Sequence, residues 1–133
     1  MKYLIDTQIL VWFQLNDPLI KPEIISLLIE PENQIFVSAV SLLEIAIKQK
    51  IGKLPQLKAT IHDIVQVLQQ DGFSLLPVTI EQIAYYDTVP LLADHRDPFD
   101  RFIIATSIHE NLPVISADRN FSRYKPYINL LEA

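Results

Sequence analysis

Apolar residues recur along the chain in two rhythms. Short runs at Tyr3-Leu4-Ile5, Ile35-Phe36-Val37 and Val114-Ile115-Ser116 are bounded by polar or turn-forming residues and read as brief buried strands. Between them the spacing becomes helical. Ile9, Leu10, Trp12 and Phe13 follow Asp6-Thr7, and Ile24, Ile25, Leu27 and Leu28 follow Pro22 until Pro31-Glu32-Asn33 ends the pattern. Ser41-Leu42-Leu43-Glu44 matches a capping box and predicts a helix from there to Lys50, stopped by Gly52. Thr60 caps another helix through Asp71, closed at Gly72, and Phe73 to Val78 reads as extended. Thr79-Ile80-Glu81-Gln82 is a second capping box, opening a short helix toward Tyr86. Asp97-Pro98 pairs an N-cap acid with a first-turn proline, and the helix it opens carries Phe99, Phe102, Ile103 and Ile104 to a stop at Asn111. Tyr127 to Leu131 reads as a last edge strand. Strands alternating with helices, each strand short and apolar, predict an α/β fold whose parallel sheet is covered on both faces.

With 133 residues, half of them apolar, the chain has the size of one domain, so residues 1–133 are expected to form a single unit. There is no internal repeat or low-complexity segment. No apolar stretch approaches the length of a membrane span, and the opening Met1-Lys2-Tyr3-Leu4-Ile5-Asp6 reads into a strand rather than a signal peptide. A soluble cytoplasmic protein with no membrane association is the expectation.

Composition narrows the chemistry. Cysteine is absent, which removes disulfides, thiolate nucleophiles, zinc ribbons and iron–sulfur clusters. The three histidines, His62, His95 and His109, form no closely spaced pair that would hold zinc, and His95 reads as an exposed loop residue. Two glycines, Gly52 and Gly72, leave no phosphate-cradling loop, so nucleotide cofactors are not expected. Sixteen acids remain as oxygen donors, which suit a hard ion such as Mg²⁺. The net charge of −5 runs against broad affinity for polyanions. The cations are grouped, however: Lys48, Lys50, Lys53 and Lys58 in one set, Arg96, Arg101, Arg119, Arg123 and Lys125 in another, each beside a candidate acid.

Four acids stand at strand ends or helix starts: Asp6, Glu44, Asp100 and Asp118. In open parallel sheets these positions share the edge where ligands bind. Carboxylates crowded there repel, and a divalent ion relieves the repulsion. Each also has a plainer reading: Glu44 as the third member of its capping box, Asp100 as a charge favouring the helix dipole, and Asp97 as an N-cap. Asp6 and Asp118 are harder to explain structurally, because each directly follows an apolar strand. Thr7 and Ser116 offer hydroxyls beside them or cap the backbone. Trp12, Phe13, Tyr85 and Tyr86 read as core or interface rather than as base-stacking platforms.

Taken together, Leu4-Ile5-Asp6-Thr7, Ser38 to Glu44, His95-Arg96-Asp97-Pro98-Phe99-Asp100-Arg101 and Val114-Ile115-Ser116-Ala117-Asp118 resemble, in order and spacing, a PIN domain of the VapC toxin kind. The resemblance spans nearly the whole chain. It implies a three-layer α/β/α sandwich with a short central parallel sheet. It also implies a Mg²⁺- or Mn²⁺-dependent endoribonuclease that cleaves RNA phosphodiesters with a metal-activated water, and a cognate VapB-type antitoxin that blocks the site in a type II toxin–antitoxin system. By position, Asp6, Glu44, Asp100 and Asp118 match the four catalytic, metal-holding acids of the family. Asp97 competes with Asp100 for the third place, since the two lie three apart on one helical face, and Asp100 is preferred. Gln8 departs from the Asn or His common after Asp-Thr. Thr7 and Ser116 are auxiliary candidates, and Arg96, Arg101 and Arg119 are candidates for the RNA phosphates.

A toxin held inactive needs an apolar groove for an amphipathic segment, expected on the Leu-, Ile- and aromatic-rich helices near the N-terminus, and so apolar a chain is expected to form a homodimer. Two alternatives compete: a catalytically silent PIN-like binding module, and a receiver-like signalling domain. The receiver fold needs an acidic pair after its first strand and a lysine after its last, and Asp6 has no acidic neighbour.

Overall fold

A computed structural model describes residues 1–133. Five short strands, β1 (Lys2–Ile5), β2 (Gln34–Ser38), β3 (Ser74–Leu76), β4 (Val114–Ser116) and β5 (Leu130–Glu132), form one all-parallel sheet in the order β3-β2-β1-β4-β5. The helices are α1 (Thr7–Leu15), α2 (Pro22–Ile29), α3 (Ala39–Lys50), α4 (Ile61–Gln70), α5 (Ile80–Tyr85) and α6 (Pro98–Glu110), with 3-10 turns at Tyr86–Thr88 and Arg119–Tyr124. None is long and apolar enough to cross a membrane.

The register explains the layers. Ile5 lies beside Val37 and Ile115, and Leu4 beside Phe36 and Val114. Because successive strand residues point to opposite faces, these two rows feed two separate cores. Ile5, Ile35, Val37 and Ile115 pack with Ile9 and Leu10 of α1, Ile24 and Leu28 of α2, Leu42 and Ile45 of α3, and Ile64 and Leu68 of α4. Leu4 and Val114 pack with Ile103 and Ile104 of α6 and with Phe121, Tyr124 and Ile128. The expected α/β/α sandwich with a short parallel sheet is therefore present. Its strand order also differs from the 2-1-3-4-5 order of receiver domains, which removes that alternative.

Most boundaries follow their local signals. Thr60 accepts from the Asp63 amide at the start of α4, and Thr79 and Gln82 close a reciprocal capping box at α5. Asn111 takes the left-handed conformation that ends α6, with φ 53°. Three expectations shift. The last strand pairs over Leu130–Glu132 rather than from Tyr127, and only Ser74–Leu76 of the extended segment joins the sheet. The larger correction concerns α3, which opens at Ala39 with Ser38 as its cap, the Ser38 hydroxyl accepting from the Val40 amide. Glu44 is thus the sixth helical residue and not the third member of a capping box at Ser41.

Candidate active site

The sheet changes direction of growth at its centre. From β1 the chain proceeds outward to β2 and β3, then returns to place β4 and β5 on the other side of β1. At such a switch point the connections leave on opposite faces, and a crevice opens beyond the carboxyl ends of the two central strands. Asp6 follows β1 and Asp118 follows β4 by two residues, so both flank this crevice. A cleft of about 300 Å³ there is lined by Asp6, Glu44, Asp97, Asp100 and Asp118, together with Thr7, Gln8, Trp12 and Lys48. All four expected acids, and Asp97 with them, therefore meet at one edge of the sheet.

Local structure fixes each carboxylate. Asp6 caps α1: its Oδ1 accepts from the Ile9 amide at 2.9 Å, and its Oδ2 accepts from the Ser116 hydroxyl at 2.5 Å. Ser116 Oγ in turn accepts from the Asp118 amide at 3.0 Å, so one serine ties the first acid to the fourth. Asp118 caps the following 3-10 turn through the Asn120 amide at 2.9 Å. Glu44 is buried in the second turn of α3, where Oε1 accepts from the Thr7 hydroxyl at 2.7 Å and Oε2 faces Lys48 Nζ at 2.8 Å. Ser41 Oγ, 2.9 Å from Thr7 Oγ1, completes this group. Thr7 and Ser116 thus each donate to one of the acids. Asp97 caps α6 through the Phe99 amide at 2.9 Å and is exposed, while Asp100, one turn on, reaches inward.

The electrostatics record the crowding. Burial pushes Asp100 up from 3.8 to about 8, helped by the charges of Asp97, Asp118, Glu44 and Asp6. Asp6 rises to about 6, driven by burial and by Asp118 and Glu44, although the Ser116 and Ile9 hydrogen bonds pull it back. Lys48 is the only basic residue lining the cleft. Its burial favours loss of the proton, but the hydrogen bond to Glu44 and the charges of Glu44, Asp97 and Asp100 prevail and hold it above the usual lysine range. One cation among five carboxylates leaves a strong negative excess. Hard oxygen donors with uncompensated charge fit a divalent ion of the Mg²⁺ or Mn²⁺ type. One ligand atom from each of His95, Asp100 and Asp118 lies within 4.8 Å of the other two.

Two expectations need correction. Arg101 is buried, its guanidinium donating to the carbonyls of Val89 (2.8 Å) and Pro90 and to Tyr86 Oη (3.2 Å), so it holds the preceding loop rather than facing a phosphate. His95, read as exposed, is 5% exposed, with Nδ1 2.8 Å from Tyr124 Oη and Nε2 3.3 Å from Asp100 Oδ2. Arg96 remains exposed, and Arg119 lines a recess beside Asp118 with Lys21 and Ser122. Lys48 was recognisable as the i+4 partner of Glu44. The contact between His95 and Tyr124, 29 residues apart, carries no local signal.

No curated protein matches the sequence significantly. Among solved structures, the chain resembles one in VapBC2 from Rickettsia felis bound to a DNA fragment from their promoter, with TM-score 0.68 and 18% identity over 99% of this chain and 98% of that one. It is similarly close to VapBC-5 from Mycobacterium tuberculosis, a member of the VapBC family of toxin-antitoxin systems, with TM-score 0.64 and 16% identity over 99% and 98% of the two chains. FitAcB from Neisseria gonorrhoeae gives TM-score 0.64 and 19% identity over 99% and 97%. At these identities the likeness is one of fold. The PIN domain family model matches residues 3–126, nearly the whole chain, and the chain therefore belongs to the PIN domain family.

Proposed function

We propose that this PIN domain is a metal-dependent endoribonuclease, the toxin of a VapBC-type toxin–antitoxin pair. The observation that carries the reading is the meeting of Asp6, Glu44, Asp100 and Asp118, from four separate segments, at the switch-point cleft, with two of them pushed far above the ordinary carboxylate range. In this reading the four hold Mg²⁺ or Mn²⁺, with Asp97 at the rim. When bound, the ion supplies Lewis acidity to a phosphodiester oxygen and to the attacking water.

The chain's own residues do the rest. Ser116 and the Ile9 amide fix both oxygens of Asp6, so this carboxylate keeps one orientation. Thr7 holds one oxygen of Glu44 and Lys48 the other. Lys48 neutralises Glu44 and offers the cleft its one positive charge, suited to a phosphate beside the acids. Arg119 and Arg96 extend the positive contacts beyond it, whereas Arg101 keeps its loop in place. Trp12, in the cleft wall, presents an aromatic surface to whatever enters.

A VapB-type antitoxin is the proposed protein partner. Ile47, Ile51, Pro98 and Phe99 line an apolar recess of about 240 Å³ next to Glu44, Lys48 and Asp97, and an amphipathic segment seated there would cover the acids. In this reading the segment would sit on α3 and the start of α6. A homodimer remains the proposed assembly, checked by sedimentation.

The test is cleavage of a single-stranded RNA by the purified chain with Mg²⁺, with EDTA, and with Asp6→Asn in Mg²⁺. Cleavage only by the unaltered chain with Mg²⁺ is expected. Equal cleavage by Asp6→Asn refutes the site, and ion binding without cleavage of any RNA returns the chain to a silent binding module.

A further inference from the structure

His95 and Tyr124 form a buried pair that the proposed chemistry does not require. Tyr124 is fully buried, and the hydrogen-bond partner of its hydroxyl is Nδ1 of His95 at 2.8 Å. The other ring nitrogen, Nε2, faces Asp100 Oδ2 at 3.3 Å. An ionised carboxylate only accepts, and a neutral imidazole carries one N–H. With Asp100 ionised, as it is when it holds a cation, one arrangement satisfies both contacts: the Tyr124 O–H donates to Nδ1, and Nε2–H donates to Asp100. The phenol thereby selects the tautomer that serves the acid.

Contacts from neighbouring segments surround the pair. Arg101 grips the carbonyls of Val89 and Pro90, Arg123 pairs with Asp94 at 2.7 Å, and Leu92 bridges His95. Tyr124 ends the 3-10 turn that Asp118 caps, so the contact links the Asp100 helix to the Asp118 segment. His95 does not line the cleft itself.

We propose that Tyr124 and His95 are positioning residues that orient the Asp100 carboxylate toward a divalent ion, with His95 acting through Asp100 and not as a ligand. This rests on the reading that the cleft holds such an ion. Partners of a ligating carboxylate restrict its orientation, and their loss typically weakens metal binding by about 10- to 100-fold.

The experiment is calorimetric titration of the full chain with Mg²⁺ for the wild type, His95→Leu, His95→Gln and Tyr124→Phe, with Mn²⁺ spin-echo spectroscopy of the wild type. His95→Leu is expected to bind about 10- to 100-fold more weakly. His95→Gln, whose amide nitrogen can stand in for Nε2, returns to within about threefold of wild type, and Tyr124→Phe falls between them. The spin-echo spectrum shows no directly bound imidazole nitrogen. Tyr124→Phe removes only a hydroxyl from a buried ring, so it decides the matter should His95→Leu fail to fold. Wild-type affinity in Tyr124→Phe overturns the proposal, as does His95→Gln as impaired as His95→Leu, or a coordinated imidazole nitrogen on Mn²⁺. A wild-type chain that binds no divalent ion overturns the metal reading itself, and this proposal with it.

Discussion

Replacing Asp100 by asparagine should stabilise the metal-free protein and remove much of its response to Mg²⁺. The gap between 3.8 and about 8 for Asp100, at ~1.4 kcal/mol for each tenfold in proton affinity, sets a ceiling of ~6 kcal/mol on the cost of ionising this group in the fold. The Asp100 side chain is 17% exposed on a cleft that admits water, and screening there brings the working figure to about 2–3 kcal/mol. The direction follows from linkage. Folded protein holds the Asp100 proton more tightly than the unfolded chain, so this contribution is fully present below 3.8 and lost as pH rises through about 8. Asparagine carries no charge and escapes the loss. In EDTA, thermal unfolding of the two proteins should coincide only below about pH 4 and separate progressively up to pH 8.5. The variant should then melt higher by about 6–15 °C, taking ~3–5 °C per kcal/mol for a chain of this size. Saturating Mg²⁺ should raise the wild-type melting temperature and leave the variant nearly unmoved. Coincident melting of the two proteins across this whole pH range would refute the electrostatic argument.

Other perturbations separate the roles of neighbouring residues. Mg²⁺ affinity should rise with pH between about 6 and about 8 as the ion displaces protons from Asp6 and Asp100, and calorimetry in two buffers of different ionisation enthalpy should register their release. Ser116→Ala removes a hydrogen bond that pulls the Asp6 carboxyl down, so the pH at which Mg²⁺ binding sets in should move upward. Lys48→Ala should destabilise the metal-free protein, because buried Glu44 loses its counter-charge, while tightening Mg²⁺ binding several-fold by removing the cleft's one cation, as read by urea unfolding and by titration. Arg101→Met leaves the Val89 and Pro90 carbonyls without their donor and should cost about 2–4 kcal/mol in urea unfolding, with no selective loss of affinity for RNA.

Much of the architecture is legible because the decisive signals are local. Tyr3-Leu4-Ile5 and Val114-Ile115-Ser116 are short apolar runs that end in a turn residue or a small hydroxyl, and both become central strands whose alternate residues feed opposite cores. Thr60, Thr79 and Asp97 cap the helices they announce. Asp6 and Asp118 stand out for the same reason, since an acid directly beyond a buried strand lies at the ligand-binding edge. The start of α3 is less legible. Ser38 and Ser41 are both competent caps, and the chance match of Ser41 and Glu44 to a capping box conceals that Glu44 answers to Thr7, 37 residues away. His95 and Arg101 mislead for a related reason. Polar side chains default to the surface, and partners such as Tyr124 for His95 and Tyr86, Val89 and Pro90 for Arg101 make their burial tolerable.

The most direct measurement is anomalous diffraction from crystals of the protein grown with Mn²⁺, collected for the wild type and for Asp6→Asn. The account predicts a manganese peak in the wild-type cleft, touching carboxylate oxygens of Asp100 and Asp118, that weakens or vanishes in the variant. Manganese bound only on the outer surface, or an empty cleft at saturating Mn²⁺, would contradict it.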